Sequence, residues 1–190
     1  MHLAEIYLSC GRIDEAEALL IPVVSSGDPE VCWHLADAMA SRGRSADAGA
    51  HMQAAQHGFE SVLGRHLLAF ADHGAEFYSG SGNDCRRALE LARINVGNRP
   101  TLRAFEQAHA IAARAGDTDA ASELLIAATK RWGGTAHFRF SPLSRFRLVD
   151  QRVGFAIRWW LRFAWVGHGR RISGGEPRTA RCLGSSCGGS

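Results

Sequence analysis

The side chains best suited to chemistry are His66, Asp72, His73 and Glu76, two imidazoles and two carboxylates in one short stretch. Zinc sites and general acid–base pairs are drawn from such groups. Their spacing argues against both. His66 and His73 lie seven positions apart on one helical face, whereas histidines that ligate zinc from a single helix are four apart. No activated nucleophile accompanies them. Gly80-Ser81-Gly82-Asn83 holds two glycines but not the lysine and Ser/Thr of a phosphate-cradling loop, so it reads as a turn. Arg86-Arg87 beside Glu90 reads as a surface ion-pair patch. Cys182 and Cys187 have no second Cys or His pair to complete a metal site. The other three cysteines fall in expected helices, where a small thiol packs well, and the odd, scattered set points to a reducing compartment. No catalytic residue, metal or cofactor is expected.

What must position these side chains is a phrase that recurs four times. Leu3-Ala4…Tyr7…Gly11…Ala16…Leu20 is echoed by Leu35-Ala36…Met39…Gly43…Ala48…Met52, 32 positions later. The third copy is Ala75…Tyr78…Gly82…Ala88…Ala92…Pro100, and the fourth Ala108…Ala112…Gly116…Ala121…Leu125…Ala128. A helical apolar patch, a glycine and a second helix repeated in this way predict stacked helix pairs. Breakers and periodicity place helices at about 2–10, 13–25, 30–42, 45–64, 67–79, 84–96, 102–115 and 118–132, with a short one near 135–140. Pro22 should kink or end the second of these, and Gly58 should weaken the fourth by about 1 kcal/mol. Alanines belong where helix axes cross closely, and Tyr7, Leu20, Met39, Met52, Tyr78 and Leu125 fill the space between pairs. The first copy reads as if its opening residues were missing.

These residues resemble the tetratricopeptide repeat (TPR) family. Leu3-Ala4-x-x-Tyr7, Leu35-Ala36-x-x-Met39 and the twelve-residue step from Ala88 to Pro100 match its signature. Departures are also present: leucine or methionine stands for the family's phenylalanine, and one repeat alone keeps its proline in register. The resemblance covers about 1–132. It implies an all-α, right-handed superhelical solenoid whose first helices line a concave groove for a peptide or helix of a partner protein. Carried across by register, the groove positions are Glu5, Trp33, Asp37, Arg103, Glu106 and Arg114, with Asp72, His73, Glu76 and Phe77 as a cluster. Their acidic bias favours a partner segment carrying arginine or lysine.

Charge divides the chain. Residues 1–142, the expected repeat domain, carry 13 Lys+Arg against 17 Asp+Glu, a balance that disfavours nucleic acid. Residues 143–190 carry nine arginines against Asp150 and Glu176. Within that tail one helix is expected over 150–166, followed by a Gly/Ser/Arg-rich disordered end. The stretch 153–166, rich in tryptophan and arginine, is too short and too charged to cross a membrane. It suits an amphipathic contact with a membrane surface, a capping helix, or a composition such as a shifted reading frame yields. The leading expectation is a cytoplasmic, non-enzymatic protein–protein interaction scaffold. The alternative is a docking segment of a larger, membrane-associated protein.

Overall fold

A computed structural model describes residues 2–148, and every regular element among them is helical. The order is α1 (His2–Ser9), α2 (Ile13–Leu20), α3 (Pro29–Ser41), α4 (Ser45–Ser79), α5 (Cys85–Asn98), α6 (Leu102–Ala115), α7 (Thr118–Trp132) and α8 (Ala136–Phe140). Two 3-10 stretches, Ile21–Ser26 and Pro142–Leu148, follow α2 and α8. The expected helix at 150–166, the contact ascribed to 153–166, and Cys182 with Cys187 lie outside the described residues.

Local chemistry explains where the helices start and stop. Asp28, Asp84, Thr101, Asp117 and Thr135 each accept a hydrogen bond from a backbone N–H of the following turn. Each cap is worth about 1 kcal/mol. Pro22 offers no N–H to continue the α ladder, and α2 tightens there into the 3-10 turn. Three glycines of the recurring phrase, Gly11, Gly43 and Gly116, hold φ of 73°, 75° and 77°, which a side chain would oppose. The fourth, Gly82, serves differently. A Cβ there would lie 2.8 Å from the Phe77 ring, and Asn83 takes the positive φ of 49° instead.

Helices expected at 45–64 and 67–79 are one helical element, α4, bent at His66 (φ −140°, ψ 47°). No loop intervenes, so a single non-helical residue redirects the chain. Gly58 also corrects the simple expectation that glycine merely weakens α4. A Cβ at that position would sit 2.9 Å from Pro29 Cβ, so the glycine admits the start of α3 against α4.

Packing is sequential: each helix meets chiefly the ones before and after it, with additional contacts of α1 with α3 and α4 with α6. Ala4, Ala16, Ala36, Ala48, Ala88 and Ala121 are all buried, as expected where helix axes approach closely. A small apolar cluster joins Ala4, Leu20, Val31, Leu35, Met39 and Ala48. A larger one runs from Ala55 through Phe59, Phe77, Leu91, Phe105 and Ile111 to Phe138 and Leu143. The packed region therefore continues past Pro142. Phe146 sets its ring 4.7 Å from that of His109 on α6.

Candidate functional site

Polar side chains, as well as apolar packing, join α3, α4 and α6. His73 on the second half of α4 pairs with Glu30 on α3. Ser81, in the loop after α4, accepts from Trp33 Nε1 at 2.9 Å and donates to the Asp37 carboxylate, whose oxygens lie 2.8 and 3.0 Å away. From α6, Gln107 Nε2 donates to the Asp72 carbonyl at 2.9 Å, and Arg114 donates to the Ser79 carbonyl. These bonds lace α3, α4 and α6 together.

A cleft of about 210 Å³ opens between α4, α5 and α6, lined by Asp72, His73, Glu76, Asn95, Arg99, Thr101, Arg103, Ala104 and Gln107. Its position follows from the chain's order. Asp72 and Glu76 are one turn apart on α4, Arg103 and Gln107 are one turn apart on α6, and between them Asn95 in the last turn of α5 is followed by Arg99 at its non-helical C-cap. The short link through Thr101 holds α5 and α6 close enough for all three to share one hollow.

Charges in the cleft are partly spent. Arg99 Nη2 lies 2.9 Å from Asp72 Oδ1, yet that buried oxygen receives no aligned hydrogen bond. The His73–Glu30 hydrogen bond raises the imidazole above its ordinary value and lowers the carboxyl below its own, burial opposing both. Glu76 and Arg103 are exposed and form no ion pair with a described residue. Asn95 is only 5% exposed, and its Oδ1 has no hydrogen-bond partner among the described residues. A buried carbonyl oxygen left so costs about 1–3 kcal/mol.

The residues expected to line a groove therefore separate into three groups. Asp72, His73, Glu76 and Arg103 meet at the cleft. Trp33, Asp37 and Arg114 are engaged in the lacing that holds these helices together. Trp33 is also half-buried, stacked 4.6 Å from the His34 ring and edge-on to Phe59 and Phe77. Burial raises the Asp37 carboxyl, against the lowering effect of the Ser81 hydrogen bond. Glu5 stands apart from the cleft on α1, its Oε1 3.2 Å from His34 Nε2. Glu106 neighbours Gln107 on α6 and is half-buried. Phe77 is not a surface residue: it is fully buried, its ring stacked 4.5 Å from Phe59.

Sequence reasoning missed Asn95, Arg99, Gln107 and Ser81. Asn95 on α5 and Arg99 at its C-cap lie on an element from which the expected groove positions took none. Gln107 lies one position beyond Glu106. His66, grouped with Asp72 and His73 by proximity in sequence, sits exposed at the bend of α4 and does not line the cleft. Among the described residues no three His, Cys, Asp or Glu side chains gather as a metal site, and no helix is long and apolar enough to cross a membrane. Compared with known proteins, the chain matches no family model, no curated sequence and no solved structure.

Proposed function

We propose that this chain is a TPR-like interaction scaffold that holds a peptide or helix of a partner protein along the laced face of α3, α4 and α6. The helix pairs form a right-handed superhelical array, and the protein brings a binding surface rather than chemistry of its own. The observation that carries the reading is the cleft itself. Arg103, placed by repeat register, and Glu76, from the cluster offered for the third repeat, converge on one hollow, and neither forms an ion pair with a described residue. Surface charges left unpaired around a concavity are suited to steering and orienting a complementary segment. The acidic excess of residues 1–142 favours basic segments over acidic ones.

Selection of short random peptides on the full chain tests the proposal. Arginine- and lysine-bearing sequences should be enriched, and Glu76→Lys with Glu106→Lys should abolish their retention without lowering the melting temperature. Enrichment of acidic sequences, or retention indifferent to both substitutions, would overturn it.

A further inference from the structure

We infer that the outer stripe of α1 is an interface between two copies of this chain, which pair through it as a two-fold dimer. The stripe is His2, Leu3 and Ile6, continued by Cys10 just beyond the helix. All four are exposed, Leu3 by 50% and Ile6 by 56%. A step of 32 positions carries them onto His34, Leu35 and Ala38 of α3 and Arg42 at its C-cap. There a helix pair covers the same stripe. His34 Nε2 lies 3.2 Å from Glu5 Oε1 on α1, Leu35 packs in one cluster with Ala4 and Leu20, and Arg42 pairs with Asp14 of α2. Leu35 and Ala38 are exposed by 1% and 0%. Among the described residues nothing takes that place over α1. Exposed apolar side chains one turn apart, at positions buried one repeat later, mark an interface rather than scattered surface residues.

A second copy suits the stripe better than a charged partner. Between His2 and Arg12 the only carboxylate is Glu5, held beside His34, and Arg12 is itself paired with Glu15. The face therefore asks for apolar surface and no compensating charge, which its own copy supplies. Antiparallel α1 helices set the positive N-terminal end of each beside the negative C-terminal end of the other. Leu19 on α2 and Val23 in the 3-10 stretch after it are exposed too and add apolar area at this end of the array. The other end is already covered. There α8 and the 3-10 stretch after it pack on α7, with Phe138 and Leu143 buried in one cluster with Ala128. Head-to-tail stacking would need the place that α8 holds, so the contact is isologous and closes at two. A few large side chains fall short of a standard interface of about 800 Å² per partner. The dimer is accordingly weak, with a dissociation constant on the order of 10–100 µM.

Sedimentation equilibrium of the full chain, from about 5 to about 500 µM, tests the pairing. It should show a monomer–dimer equilibrium and no larger species. Hydrogen exchange of residues 3–10 should slow as the concentration rises. Ile6→Arg enters the contact twice across the two-fold axis and should weaken it more than about tenfold. The melting temperature of dilute protein should stay unchanged, because Ile6 is exposed in the monomer. Leu3→Arg repeats the test at the second exposed position should Ile6→Arg disturb the fold. Ile126→Arg, an exposed apolar position on α7, should leave the equilibrium as it was. A monomer at every concentration, a series of growing oligomers, unchanged exchange at residues 3–10, or association that survives the α1 substitutions would overturn the dimer. Loss of association in Ile126→Arg as well would do the same. No peptide enters the readout, so a monomeric chain that still binds selected peptides refutes the dimer and leaves the scaffold standing.

Discussion

Ser81 joins α3 to the loop after α4 through one hydroxyl that both accepts and donates. Ser81→Ala would leave the Trp33 N–H and the Asp37 carboxylate without this partner in partly buried positions. A loss of about 1–3 kcal/mol is expected, read as a melting temperature lower by about 2–4 °C for each kcal/mol. An unchanged melting curve would show that the hydroxyl is dispensable. The His73–Glu30 pair gives a signed pH dependence. His73 is raised above 6.5, so its contribution is full below 6.5 and lost as pH rises through its folded value. Glu30 is lowered below 4.5, so its contribution is full above 4.5 and lost as pH falls through its folded value. The pair therefore supports the fold most between pH 4.5 and 6.5. His109 has the opposite sign: burial lowers its imidazole, so its contribution is lost as pH falls below 6.5. The difference in melting temperature between the protein and His73→Gln isolates the pair. It should shrink as pH rises from 6 to 9, and a difference constant with pH would contradict the assignment.

At the scale of the element, glycines of similar appearance in the sequence have opposite consequences. Gly82→Ala would drive a Cβ to 2.8 Å from the Phe77 ring, itself locked against Phe59, with an expected cost of about 1–3 kcal/mol. Gly49 and Gly97 lie within α4 and α5 with nothing within 4 Å of an added Cβ. Gly49→Ala and Gly97→Ala should each stabilise by about 0.5–1 kcal/mol, checked by urea denaturation. Destabilisation by all three substitutions alike would mean that the space around an added Cβ does not decide the outcome. The ends of α6 and α7 were legible in the sequence because Thr101 and Asp117 cap them and Gly116 and Gly133 follow them. The continuity of α4 through His66 was not legible. Nothing in Gly64, Arg65 and His66 distinguishes a loop from a one-residue bend within α4, which packs on both α3 and α5.

Across the molecule, the order of packing was legible because buried alanines recur with the glycine turns, and neighbours in sequence are neighbours in space. The site was legible by half. Register marks Arg103, and the cluster offered for the third repeat holds Asp72, His73 and Glu76, whereas Asn95 enters the cleft from α5 and Arg99 from the C-cap that follows it. Trp33 shows the converse limit. A groove position by register becomes a packed residue once Ser81 reaches its indole nitrogen. Unpaired charge at the cleft and polar lacing around it are the two features that a binding scaffold would need, and both rest on sequential helix packing. The most direct measurement is an amide-shift titration of the full chain with the tightest arginine-bearing peptide obtained by selection. Shifts should concentrate on residues 72–76 and 99–107. Shifts confined to the outer faces of α2, α5 and α7, or no saturable shift at all, would contradict the account.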